Sequence, residues 1–182
     1  MAEQIVDGTG TGIKAKVSAG NQLHVYSASV PYQHHVAHTH SEAFIATVQQ
    51  TPTTTNTPFA YLKNTYTEDI NIWTICARCA AAECIEVWSV TGTAVGTEYV
   101  PVNAVIGSGI LANVTCVVNN AITGLAKAKL IKRIYVEAAT RSVCHDIHTA
   151  IILPAGQAVA VYAVTGTALT DIEITFDFHS VE

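Results

Sequence analysis

TAIILPAGQAVAVYAVTGTALTDIEITFDFHSVE, residues Thr149 to Glu182, is the stretch whose reading decides the fold. Ile172, Ile174, Phe176 and Phe178 alternate with Glu173, Thr175, Asp177 and His179. A strict period of two places one face of a strand on a core and the other in water. Gln157 to Val164 is apolar on both sides, the pattern of a strand covered on both faces. Pro154-Ala155-Gly156 breaks the chain before it, and Gly166 among threonines supplies the reversal after it. The expectation is a closing antiparallel pair at the end of a β-sandwich, with the rest of the chain supplying strands beside it.

Working outward, short apolar segments recur between turn signals. Strands are expected over Gln22–Ser29, Ala43–Gln49, Phe59–Lys63, Asp69–Cys76, Cys84–Thr91, Val114–Val118 and Leu130–Ala138. Trp73 reads as a core or inter-sheet anchor. Ala80–Ala82 reads as a bend or a single helical turn. The pentapeptide Val-Thr-Gly-Thr-Ala occurs at 90–94 and again at 164–168, and is expected to end a strand each time. Ala121 to Lys129 is expected to form about two helical turns behind Asn120 as cap. The fold class is therefore all-β, a two-sheet antiparallel sandwich or jelly roll over residues 21–182. Residues 1–20, with the run Asp7-Gly-Thr-Gly-Thr-Gly12, read as an extended arm that buries too little to order alone.

The chain has 182 residues, of which 13% are charged and 49% hydrophobic. Ordinary soluble domains carry about 25% charged residues. So neutral an exterior points to a surface covered by copies of the chain or by a partner. A net charge of −5 argues against general nucleic-acid binding, which needs a basic face. The basic cluster is Lys127, Lys129, Lys132 and Arg133, read either as a solvated face or as a docking patch for an acidic partner. Met1 to Gly10 has no secretory pattern. The uncharged run Tyr99–Ala126 is broken by Pro101, Gly107, Gly109 and several asparagines, so a membrane-spanning helix is not expected.

Metal and catalytic readings compete with plainer ones. His34, His35, His38 and His40 sit close together, and His38 and His40 would point the same way in extended chain. Only Glu42 accompanies them, so the segment is read as polar chain without a resident metal. Cys76-Ala-Arg-Cys79 and Cys84 resemble half a zinc site, with Cys144, His145 and His148 as distant completion, but chelation needs a turn at Cys76–Cys79. The five cysteines are expected to be reduced, small core residues. Cys144 and His145 are adjacent and would point apart on a strand, and the acids are scattered. No catalytic constellation emerges, no cofactor is expected, and the chain is read as a non-enzyme.

Several stretches share an order with a known family: Val6-Asp-Gly-Thr-Gly-Thr-Gly-Ile-Lys-Ala-Lys-Val17, Asn21-Gln-Leu-His-Val25, Glu42-Ala-Phe-Ile-Ala46, Tyr61-Leu-Lys-Asn64, Glu68-Asp-Ile70 and Ile152-Leu-Pro-Ala-Gly156. In that order they resemble small virion proteins of tailed bacteriophages, encoded among head genes. The likeness is weakest from Cys76 to Val143, and the His-rich segment has no counterpart in it. The resemblance implies a jelly-roll module that decorates or cements a capsid, commonly as a homotrimer, with a terminal arm on the shell. Asp7, Gly8, Gly10, Gly12, Lys14 and Lys16 would then contact the major capsid protein. The implied location is the capsid exterior, and the host cytoplasm during assembly. A receptor- or carbohydrate-binding module of a tail or fibre is the alternative, with Tyr32, Phe59, Tyr66 and Tyr99 as candidate aromatics.

Overall fold

The computed structural model describes residues 16–17, 23–24, 42–137, 143–165 and 172–180. The chain divides into two compact units, residues 1–31 and 32–182. In the first, β1 (Lys16–Val17) pairs antiparallel with β2 (Leu23–His24). The second is built wholly of antiparallel strands among the described residues. They are β3 (Ala43–Gln50), β4 (Thr57–Asn64), β5 (Ile70–Cys79), β6 (Glu83–Tyr99), β7 (Val102–Asn103), β8 (Val114–Val136), β9 (Val143–Leu153), β10 (Ala158–Ala163) and β11 (Ile172–Ser180).

One sheet is open, in the order β7-β3-β11-β5-β9. The other closes on itself, because β10 and β8 each pair with both β4 and β6. The main core lies between them. Phe44, Ala46 and Val48 of β3, Ile72 and Ile75 of β5, and Phe176 and Phe178 of β11 meet Phe59, Leu62, Ile85, Ile134 and Val161 of the closed sheet. Phe44 and Phe178 stack with ring centroids 5.6 Å apart, within the range of favourable aromatic pairs.

The closed sheet carries a second cluster on its other side. Tyr61, Val90, Val117, Ile122, Ala160 and Tyr162 form it. Alternation explains both clusters at once: Val159, Val161 and Ala163 serve the first, Ala158, Ala160 and Tyr162 the second. All six residues of β10 are consequently buried, as the two-sided apolar pattern requires.

Four expectations need correction. The two final strands do not pair with each other. β10 belongs to the closed sheet, while β11 lies between β3 and β5 in the open one. No helix forms over 121–129, because β8 runs unbroken for 23 residues as the long partner of β6. The Ala- and Lys-rich composition favours helix only weakly, and a ladder from Glu83↔Val136 to Tyr99↔Cys116 overrides it. The first Val-Thr-Gly-Thr-Ala does not end a strand. It bends one: Gly92 and Gly124 have φ of 102° and 82°, and a Cβ on Gly92 would lie 2.2 Å from the Gly124 carbonyl oxygen. The second copy reaches into residues outside those described. Finally, Trp73 is half-buried and absent from both core clusters.

Asn64, the last residue of β4, ties the neighbouring turns together. Its side chain is buried, donates to the carbonyls of Glu68 (2.7 Å) and Leu153 (2.8 Å), and accepts from the Tyr66 amide (2.8 Å). The next residue, Thr65, donates its amide to the Asn113 carbonyl at 3.1 Å and so fixes the end of the long β7–β8 loop.

Candidate functional site

The basic cluster lies along β8, and the structure divides it. On β6, Ile85 and Val87 enter the main core, so Glu86 and Trp88 face the other way. Glu86 is nevertheless buried, at 6% exposure. Arg133 stands opposite it in register and donates Nε at 2.9 Å and Nη2 at 2.5 Å to its Oε1. Oε2 accepts from the Trp88 indole at 2.8 Å and faces Lys127 Nζ at 3.5 Å. The Lys127 ammonium lies 4.2 Å from the Tyr162 ring centroid and 4.6 Å from that of Trp88, a cation–π arrangement, and also donates to Asn56 Oδ1. Burial pushes the Glu86 carboxyl up, but hydrogen bonds from Trp88 and Arg133 and the two nearby cations outweigh it, leaving it below its ordinary value.

Lys127 and Arg133 are thus engaged with Glu86, whereas Lys129 is exposed and Lys132 half-exposed, neither in an ion pair among the described residues. Among the described residues, β8 beyond Val118 pairs with β6 alone, and Ala128 and Ile131 are skipped in the register. Lysines and bulges on an open strand edge discourage edge-to-edge pairing, which gives this cluster a structural role without a partner.

Three of the cysteine thiols are raised by burial. Burial pushes the Cys79 and Cys116 thiols up to about 12, with Glu83 adding to the effect at Cys79. Burial also raises Cys84. Cys76 is disulfide-bonded, and the backbone register sets it opposite Cys144, which corrects the expectation of five reduced thiols. A cross-strand disulfide depends on register, which spacing in sequence does not reveal. The half zinc site fails as well, since Cys76 and Cys79 lie on one continuous strand with Cys79 in the core. Among the described residues no three His, Cys, Asp or Glu side chains converge as a metal site. Buried Glu83 is occupied structurally, its Oε1 accepting from the Cys84 and Thr165 amides at 2.9 and 2.8 Å.

Other sequence candidates are dispersed. Of the arm residues, Lys16 pairs with His24 in the β1–β2 ladder. Asp7, Gly8, Gly10, Gly12 and Lys14 lie outside the described residues, as do His38, His40 and Tyr32. Phe59 is fully buried, while Tyr66 and Tyr99 are half-buried in different clefts. These aromatics form no exposed group.

What sequence reasoning passed over is the segment from Val100 to Leu111, which runs through β7 into the β7–β8 loop. It lies in the uncharged run tested only as a membrane span. Val100, Val102, Ile106, Ile110 and Leu111 are all exposed here, Ile106 at 98% and Leu111 at 71%. The loop is nonetheless well tied. Asn103 accepts from the Val105 amide at 2.8 Å and donates to the Ile110 carbonyl at 3.3 Å. Ser108 donates its amide to the Val105 carbonyl and accepts from the Ile110 amide. The Ala104 amide anchors the loop to the Ala43 carbonyl at 2.8 Å. Beside it opens a cleft with Phe44, Ile70, Val114 and Phe178 in its lining, walled by Ile110 and Leu111. Scattered apolar side chains are ordinary on a surface; here five stand on one uncharged, anchored segment.

Comparison with protein-family models, curated proteins and solved structures finds no match to this chain.

Proposed function

We propose that this protein is a structural component of a virion, a decoration or cement protein that packs as a homotrimer on a shell of major capsid protein. The observation that carries the reading is the anchored loop from Val100 to Leu111, whose large apolar side chains stand in water on a charge-poor, all-β body. An isolated protein gains nothing from holding Ile106 exposed; a subunit of a crowded surface gains its burial. The resemblance of the sequence to phage head proteins supplies the kind of shell. The arm, residues 1–20, grips the capsid protein in this reading.

The test is co-sedimentation with empty shells assembled from the major capsid protein. The full chain is expected to travel with the shells, and the chain lacking residues 1–20 to stay in the supernatant while keeping its β-sheet circular dichroism. Failure of the full chain to bind would overturn the reading. Equal binding of both would remove the arm from it.

A further inference from the structure

Strand β9 lies at the edge of the open sheet and, among the described residues, pairs with β5 alone. Its ladder comes in two pieces. Residues 70–72 of β5 face 151–153 of β9, and 74–77 face 143–146. Between the two pieces β5 has one residue, Trp73, and β9 has four, 147–150. No continuous ladder therefore carries pairing from one piece to the other. A short edge segment cut off in this way opens locally, at much lower free-energy cost than the sheet as a whole.

A covalent bond spans the piece at 143–146. Of the five cysteines, Cys79, Cys84 and Cys116 are free thiols, which leaves Cys144 as the partner of disulfide-bonded Cys76, in agreement with the register. Ile75 and Ala77 enter the main core, so Cys76 faces the other side of the sheet, where it is half-buried. A thiol in solution has a path to a bond on that side, which a core position would deny it. The remaining thiols compete poorly for oxidation. Cys79 and Cys116 are buried and pushed up to about 12, whereas exchange proceeds through the thiolate.

We infer that Cys76 and Cys144 form a redox clasp, which holds residues 143–146 on β5 when oxidised and lets that segment leave when reduced. In closing, the two thiols give two electrons and two protons to a small-molecule disulfide such as glutathione disulfide, which departs as two thiols, and the S–S bond forms. Opening is the reverse, with a small thiol as the donor. Reducing compartments keep cysteines as thiols, so the clasp closes on passage to an oxidising medium. Once open, residues 74–77 present a row of backbone groups to an incoming strand; once closed, that edge is occupied. The clasp is internal to the protomer and independent of any shell.

The test compares the full chain reduced with dithiothreitol and the same chain oxidised with glutathione disulfide. Peptide mapping without reductant is expected to find Cys76 joined to Cys144 in the oxidised protein, and Cys79, Cys84 and Cys116 as thiols. In hydrogen exchange read by mass spectrometry, reduction is expected to speed the amides of 143–146 at least tenfold and to leave those of 151–153 unchanged. Cys76→Ser should show the reduced rates in both buffers. Should that variant lose its β-sheet signature, the reduced parent carries the comparison alone. Absence of the Cys76–Cys144 bond after oxidation would overturn the inference. So would exchange that reduction leaves unchanged, or speeds equally through the whole sheet.

Discussion

Strand β10 and the segment from Val100 to Leu111 are made of similar residues and meet opposite fates. Ala-Val-Ala-Val-Tyr-Ala is buried on both faces, whereas Val100, Val102, Ile106, Ile110 and Leu111 are exposed. Hydrophobicity does not separate them. Position in the ladder does: β10 has strands on both sides and a cluster of side chains against each face, while the loop leaves the sheet after two residues of β7. An apolar segment is covered when neighbours exist to cover it, and the described residues leave this one exposed.

Mutation should sharpen this contrast. The largest effect is expected beside β10. Phe59 of β4 is fully buried, and Phe59→Ala should cost about 3–5 kcal/mol in urea unfolding through lost transfer energy and the cavity left behind. A cost below about 1 kcal/mol would mean that the main core is not packed as described.

An intermediate effect is expected at Glu86, where the closed sheet buries a charge rather than a methyl group. Its carboxyl is held below the ordinary 4.5, so its contribution is complete above that value and is lost as pH falls through the lower folded value. Glu86→Gln should be less stable than the parent at neutral pH, and the difference should shrink on acidification. A gap that stays constant down to the acid transition would contradict the ion-pair arrangement with Arg133 and Lys127. The smallest effect belongs to the loop: Ile106→Ala should change unfolding free energy by less than about 0.5 kcal/mol in dilute protein, as exposed positions do.

The sequence made some of this plain and hid the rest for physical reasons. β3, β4, β5 and β11 were readable because alternating or continuous apolar residues match a strand's period, and Phe176 and Phe178 are buried as that period requires. β10 was readable as covered on both faces, but not its neighbours, since a period identifies faces and says nothing about which strand lies alongside. β8 misled because Ala-Lys-Ala-Lys-Leu suits a helix locally, and its strand form depends on β6, some 40 residues away in the Ser89–Lys129 pairing. β9, Val143–Leu153, was not read at all: Cys-His-Asp-Ile-His has neither period cleanly. The basic cluster was visible, but its division was not, because Glu86 reaches Arg133 only through register. The loop's missing charges were in plain view, while its exposure depended on the absence of neighbouring strands.

The most direct test of the central claim is stoichiometry. Under the proposed function, quantitative mass spectrometry of purified phage virions from the source of this chain should find it in fixed ratio to the major capsid protein, at the abundance of a shell component. Absence from the particle, or an abundance matching tail proteins alone, would contradict the account.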